Sequence, residues 1–303
     1  MGGAPAPGRV AHRPLPGPDD GLLIRTSDEL LLLAPHGGVA LHAVLSAALR
    51  DVLGEESPVA TDPASLQARW PEARTLAEAC ALDTLGHVRG SLAAGVLLKQ
   101  AALWGERNSP GPSMEHDHAL RHLLSPPLVA VIGPANAGKS TLVNALAGRP
   151  VSVVDPRAGT TRDHVGVHVG LMGLHVVVVD LPGTRAESDA IEREATAIAA
   201  RLLQEAALVI RARAPGQAHA TLPREVPASA AILQAFLQCD RAVDDGPAEG
   251  ELPLSAAVGT GMDRFARRVR DELVDPAAIA SDRRWRFHPA LRGPAGAQRP
   301  TIE

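Results

Sequence analysis

At 303 residues the chain has room for two domains, or for one large domain with extensions. A net charge of −4, from 30 Lys and Arg against 34 Asp and Glu, excludes an overall basic field for nucleic acid or anionic membrane and leaves only a local arginine patch open. No apolar run reaches the ~18–20 residues of a membrane span, residues 1–20 lack the apolar centre of a secretory leader, and Cys80 and Cys239 are isolated; reduced core thiols in a cytoplasmic protein are expected.

With 45% hydrophobic residues, 2% aromatic and no Tyr, Ala, Leu and Val must build the core, and the 28 Gly and 26 Pro imply long loops. Residues 1–20 read as an untethered tail. LLIRT (Leu22–Thr26) and ELLLLAP (Glu29–Pro35) read as two strands around a turn, and His36–Gly54 carries apolar residues at helical spacing with Gly54 as its stop. Residues 55–71, with three prolines, form a connection. Residues 72–104 are helical, as one helix or two, because Gly86, Gly90 and Gly95 weaken the run, and Thr75-Leu-Ala-Glu78 has the pattern of a capping box. In the linker that follows, His116, His118 and His122 include an i, i+4 pair, which could hold a metal; a solvated helix start is the expected reading.

Residues 128–141, LVAVIGPANAGKST, organise the rest. Leu128–Ile132 is a short continuous apolar run, as in a strand buried on both faces of a parallel sheet. Gly133 to Ser140 read G-x-x-x-x-G-K-S, the phosphate-loop pattern, and helical spacing resumes at Leu142, Val143, Ala145 and Leu146. Strand, loop and helix in that order let backbone N–H groups and a helix N-terminus wrap a pyrophosphate. Composition strengthens this signal. The chain has two lysines, Lys99 and Lys139, against 28 arginines, and one of the two stands where a compact ammonium must reach the β- and γ-phosphates.

Beyond the loop, His164–Leu171 alternates like a half-exposed strand, and Leu174–Asp180 is a buried strand ending in an acid. Residues 185–206 are helical, Ala207–Ala212 and Ala230–Leu237 are strands, and Met262–Leu273 is an amphipathic helix. The expected fold is α/β, a doubly wound, mostly parallel sheet. Asp180, in D-L-P-G about 40 residues after Lys139, is placed to hold Mg²⁺ through water, with Ser140 as the direct hydroxyl ligand and the Gly183 N–H directed at the γ-phosphate. Asp155–Asp163, DPRAGTTRD, is a loop with two hydroxyls, Thr160 and Thr161, one of which can complete the Mg²⁺ shell while a γ-phosphate is present.

GPANAGKST, AGTTRD, DLPG and SAAVGTGMD, in this order and spacing, resemble the TrmE/Era/EngA class of P-loop GTPases and within it the TrmE (MnmE) tRNA-modification family. The resemblance implies a G domain over residues 127–275, preceded by a disordered tail (1–20), a small α/β remnant (21–60), a helical segment (61–107) and a linker (108–126), with a C-terminal tail (276–303) after it. It implies GTP hydrolysis to GDP and phosphate with Mg²⁺ and K⁺, a homodimer formed through the G domains, and tRNA or a tRNA-modification partner, with no membrane. On this resemblance the nucleotide lies against Gly133, Asn136, Ala137, Gly138, Lys139, Ser140, Thr141, Thr160, Thr161, Asp180, Gly183, Asp240, Ser255 and Ala256. Ser140, Thr161 and Asp180 hold Mg²⁺, and Asn136 with the loop Val151–Asp163 holds K⁺, which neutralises charge as an arginine finger would. Lys139, Asn136 and Glu192 are the catalytic candidates, Glu192 orienting the water.

The likeness departs in three places. The stretch resembling the folate-binding domain is short, so folate binding does not carry over. The second helical segment and terminal cysteine motif of the modification chemistry are not in this sequence. Where N-K-x-D should stand, the chain reads Leu237-Gln238-Cys239-Asp240. Asp240 can still accept from guanine N1 and N2, but each lost polar contact costs on the order of 1–3 kcal/mol, so weakened guanine affinity is expected. The alternative is a degenerate G domain that acts as an interaction module.

Overall fold

The structure, a computed structural model, describes residues 6, 8–14, 20–25, 31–35, 47–48, 63–148, 166–181 and 190–292. The helix expected over His36–Gly54, apart from residues 47–48, lies outside them, as do the loop Val151–Asp163 with Thr160 and Thr161, and Gly183. The chain divides into two compact units, residues 1–83 with 293–303, and residues 84–292.

In the first unit, strands β1 (Arg9–Pro14), β2 (Asp20–Arg25) and β3 (Leu31–Pro35) form an antiparallel sheet in that order, with Arg9 opposite Arg25 and Gly21 opposite Pro35. β1 falls in the stretch expected to be a tail. Backbone pairing to β2, rather than burial of apolar side chains, accounts for it, since Val10 remains 59% exposed. Helix α1 (Pro63–Arg69) buries Leu66, and Arg69 Nη1 lies 2.5 Å from Asp83 Oδ1, which also accepts from Trp70 Nε1 at 3.3 Å. Helix α2 (Leu76–Leu85) begins at the expected capping box: Thr75 Oγ1 accepts from the Glu78 N–H at 3.1 Å, and the Glu78 carboxylate reaches back to the Arg74 N–H at 2.8 Å. Residues 72–104 thus hold two helices, broken at Gly86–Gly90.

The second unit is a layered α/β structure. Among the described residues its sheet has six strands, β4 (Leu128–Ile132), β5 (Val167–Leu171), β6 (Leu174–Asp180), β7 (Ala206–Arg213), β8 (Ala231–Phe236) and β9 (Leu252–Pro253), ordered β5-β6-β4-β7-β8-β9. Every pairing is parallel except β5 with β6, a hairpin turned at Met172–Gly173. β4 is buried along its whole length, as its unbroken apolar run requires. Leu128, Ala130, Ile132, Val177, Val179 and Val209 pack with Leu203 of helix α6 (Ala190–Glu205). Val226, in the segment between β7 and β8, packs on the same cluster. That segment, residues 214–230, carries no helix, so this parallel crossover is made by turns alone.

Helix α3 (Ser91–Leu103) precedes the sheet in sequence and touches it at one end, where the Leu92 N–H donates to Gly173 O of the β5–β6 turn at 3.1 Å. Helices α4 (Met114–Ala119), α7 (Met262–Leu273) and α8 (Pro276–Ala280) complete the unit with α5, described below. Residues 276–292 are expected as part of a tail, but residues 280–285 are strapped along α3. The buried Gln100 amide donates to Arg283 O at 2.9 Å and accepts from the Trp285 N–H at 2.7 Å, Trp104 Nε1 donates to Trp285 O at 3.1 Å, and Arg286 binds Asp117 through Nε at 2.6 Å. Trp285 and Phe287, two of the chain's few aromatics, are 1% and 3% exposed there. Lys99 ties the same segment through Ala280 O, Ser281 O and Asp282.

Candidate functional site

The C-terminal ends of β4, β6, β7 and β8 converge on the loop Gly133–Ser140. Gly133 starts that loop because nothing larger fits: a Cβ there would lie 2.4 Å from Ala212 O of β7. Gly138 takes φ +94, in the left-handed region, and turns the chain into helix α5 (Lys139–Ala147). That helix begins with no side-chain cap, so its first N–H groups face the loop's concavity, as an anion site requires. Asn136 also adopts positive φ, +61, a conformation Asn tolerates better than most side chains. Lys139 is nearly buried and donates from Nζ to Pro134 O at 3.2 Å, back across the loop.

Asp180, at the end of β6, hydrogen-bonds through Oδ2 to the Ser140 hydroxyl, joining two of the three sequence-predicted magnesium residues across 40 positions. Its Oδ1 is buried with no hydrogen-bond partner among the described residues. A hydroxyl and a carboxylate side by side, one carboxylate oxygen unpaired, form the oxygen-rich donor set that a hydrated Mg²⁺ uses. The residues present therefore fit the metal. For K⁺, Asn136 is described and exposed, and the rest of the expected loop lies outside the described residues. Glu192 falls in the first turn of α6.

A second group forms beside Gly138. Gly138, Thr141, Leu142, Leu237, Gln238, Asp240, Arg241, Ser255, Ala256 and Ala257 line one pocket. It is assembled by parallel backbone pairing: the Leu254 N–H donates to Phe236 O at 2.8 Å and the Cys239 N–H to Leu254 O at 3.1 Å, which brings Ser255-Ala256 alongside Asp240. The buried Ser255 hydroxyl beside it holds the Asp240 carboxyl below the usual range, so Asp240 is an anion and an acceptor. The residues expected from sequence to hold phosphate and those expected to hold the base thus adjoin each other. Cys239 is half-buried at this pocket, not in the core, and Cys80 is buried, its thiol pushed up to about 11 mainly by burial.

Sequence reasoning missed a third group. Arg213, at the end of β7 and 8% exposed, binds both oxygens of Glu251 at 2.7 Å, Asp245 at 2.8 Å and Gly246 O at 2.9 Å, and lies 4.5 Å from the Phe236 ring centre. It anchors the start of the crossover, from which Gln217 Nε2 donates to Ala135 O of the phosphate loop at 3.1 Å. From the end of β8, Gln238 Nε2 donates to Asn136 O at 3.0 Å. The signal for Arg213 was a guanidinium closing a strand that is apolar apart from Arg211, where burial requires partners.

Of the histidines expected at a solvated helix start, His118 is exposed on α4 as expected, and the other two are placed otherwise. His116 is buried in α4, and His122 lies beyond that helix, its Nε2 buried without a partner, in a cleft it shares with His87, His168 and His175. Among the described residues no three His, Cys, Asp or Glu are placed to hold a metal ion.

Residues 128–229 match the family model described as 50S ribosome-binding GTPase. The tRNA modification GTPase MnmE of Xanthomonas campestris is 39% identical over 145 residues, covering 46% of this chain and 32% of the relative. That of Rhodopseudomonas palustris is 41% identical over 125 residues, covering 41% and 26%. The chain thus spans about a third of the length of the curated relatives it matches. Solved structures similar to it include Era of Aquifex aeolicus bound to GDP and AlF4⁻, at 24% identity and TM-score 0.37 over 49% of this chain and 57% of that one. The FeoB G-domain of Methanococcus jannaschii is another, at 22% identity and TM-score 0.35 over 48% and 96%.

Proposed function

We propose, from the premise that residues 128–229 are a GTPase domain, that this chain binds GTP and hydrolyses it to GDP and phosphate. The observation that carries the reading is the Ser140–Asp180 pair with its unpartnered carboxylate oxygen, set against an uncapped helix start and the Lys139 ammonium. Together they suit a triphosphate tail and its metal.

The amides of Asn136, Ala137, Gly138, Ser140 and Thr141, with Lys139, take the β- and γ-phosphates, and Thr160 and the Gly183 N–H, which lie outside the described residues, are assigned to the nucleotide as well. Ser140, Asp180 and Thr161 would hold Mg²⁺, which would neutralise negative charge on the β- and γ-phosphates. Asp240 accepts from guanine N1 and its amino group, and of the two residues expected at O6 the backbone N–H of Ala256 is the candidate donor, because that of Ser255 is bonded to Thr260 O at 3.0 Å. Asn136 contributes to a K⁺ site, and Glu192 orients the attacking water. In the context of MnmE-named relatives, the partners proposed are tRNA or a tRNA-modification component, and a second G domain of this chain.

Phosphate release from GTP, compared in KCl and NaCl, tests the proposal. Turnover is expected in KCl, lower in NaCl, and at least tenfold lower for Glu192→Ala. Nucleotide binding with no turnover in either salt overturns the enzyme and leaves a binding module. That second reading has one observation in its favour: the pocket offers buried Leu237 and an already bonded Gln238 amide where polar base contacts would be.

A further inference from the structure

Two consecutive carbonyls of the phosphate loop, Ala135 O and Asn136 O, are each capped by a glutamine amide from a different part of the chain, Gln217 and Gln238. Neither glutamine hangs loose. Gln217 Oε1 accepts from the Ala214 N–H at 3.2 Å, and Ala214 follows the clamped Arg213; Gln238 Oε1 accepts from Arg241 Nη1 at 3.3 Å. A loop that presents its N–H groups to an anion must turn carbonyls away from it, and carbonyls left free can flip the peptides back. The loop also holds Asn136 at φ +61, outside the broad minima of an L-residue.

We propose that Gln217 and Gln238 are positioning residues that keep the phosphate loop in its binding shape before any nucleotide arrives. Affinity for a ligand is reduced by the fraction of protein that is competent, so anything that fixes the loop raises affinity for every ligand the loop grips. Both amides face loop carbonyls, so their effect passes through the phosphates; Gln238 also lines the pocket beside Asp240, and the GTP:ITP ratio separates a loop role from a base role. Arg213, Glu251 and Asp245 act one step further back, by holding the segment that carries Gln217. The inference rests on the nucleotide-binding reading above.

The test uses the full chain with Gln217→Met and Gln238→Met, which keep length and neutrality but cannot donate, and the shorter Q217A and Q238A. GTP and ITP, which lacks the guanine amino group, are titrated calorimetrically with Mg²⁺, and deuterium exchange is followed at residues 134–140 without nucleotide. Each variant is expected to weaken GTP and ITP alike, by about three- to tenfold, the loss of one exposed hydrogen bond, with the GTP:ITP ratio unchanged. Exchange in the loop should rise while β4 keeps its protection. Unchanged affinity and unchanged loop exchange overturn the proposal, as does a shifted GTP:ITP ratio, which would make either glutamine a reader of the base. An unaltered chain that binds neither nucleotide removes the functional reading itself, an outcome distinct from variants that bind as well as the parent.

Discussion

Lys139 shows what a single side chain contributes here. Its ammonium reaches back to Pro134 O from a nearly buried stem, so Lys139→Met should leave the fold intact and lower GTP affinity at least a hundredfold, read by calorimetry. Asp240 carries the base assignment. On the proposed reading its carboxylate would accept from two guanine donors, and Asp240→Asn, which can donate as well, should shift preference toward xanthosine triphosphate, whose ring offers a carbonyl where guanine has an amino group. Equal losses for both nucleotides would remove Asp240 from the base site. Two groups with large downward shifts contribute to the acid limb of stability. Burial, aided by Arg121 and His118, pushes His122 down to about 4 from its ordinary 6.5. The folded chain therefore resists protonation that the unfolded chain accepts, and stability falls as pH drops from 6.5 toward 4. Burial raises the Glu251 carboxyl, but hydrogen bonds from Arg213, the Ala248 N–H and His219 outweigh it and hold the group at about 2. Its contribution is present above pH 4.5 and is lost as pH falls toward 2. Urea unfolding across pH should show both stages, and His122→Leu should flatten the upper one alone.

At the scale of elements, the phosphate loop and its strand and helix were legible because every determinant lies within the single stretch 128–147. So was Asp180, whose buried strand announces itself by four valines. The strap of residues 280–285 along α3 was not, because its determinants are separated by about 180 positions: Gln100 is an ordinary polar residue on a helix until Arg283 and Trp285 arrive to use both ends of its amide. Trp285→Ala should destabilise the chain by about 3–5 kcal/mol in urea unfolding, as removal of a fully buried ring does. Gln100→Leu should cost about 1–3 kcal/mol, because it strands a buried N–H and a carbonyl. The first strand escaped a reading based on apolar periodicity for a related reason, since its partner supplies backbone bonds and its own side chains bury little. Gln238 was visible as the replacement of an expected lysine, yet its role depends on a carbonyl 102 residues away.

For the whole molecule, motif order predicted an α/β sheet but not which strands would be neighbours, a matter decided by crossovers. The order β5-β6-β4-β7-β8-β9 places the phosphate loop near mid-sheet, between the acid of β6 and the anchored arginine of β7. Among the described residues no helix is long and apolar enough to cross a membrane. The contact pattern makes residues 84–292 one compact body containing every described residue of the candidate site, so that fragment alone should bind GTP with the affinity of the full chain by calorimetry. The helix-free passage from β7 to β8 has a further consequence. Its backbone offers few bonds of its own, Gln217 to Ala214, Val226 to Pro223 and Ala230 to Pro227, while the strands it joins are laddered on both sides. Amide protons between 218 and 225 should therefore be lost to heavy water within seconds, a hot stripe bordered by two cold ones, so that isotope uptake would trace the crossover without any ligand present.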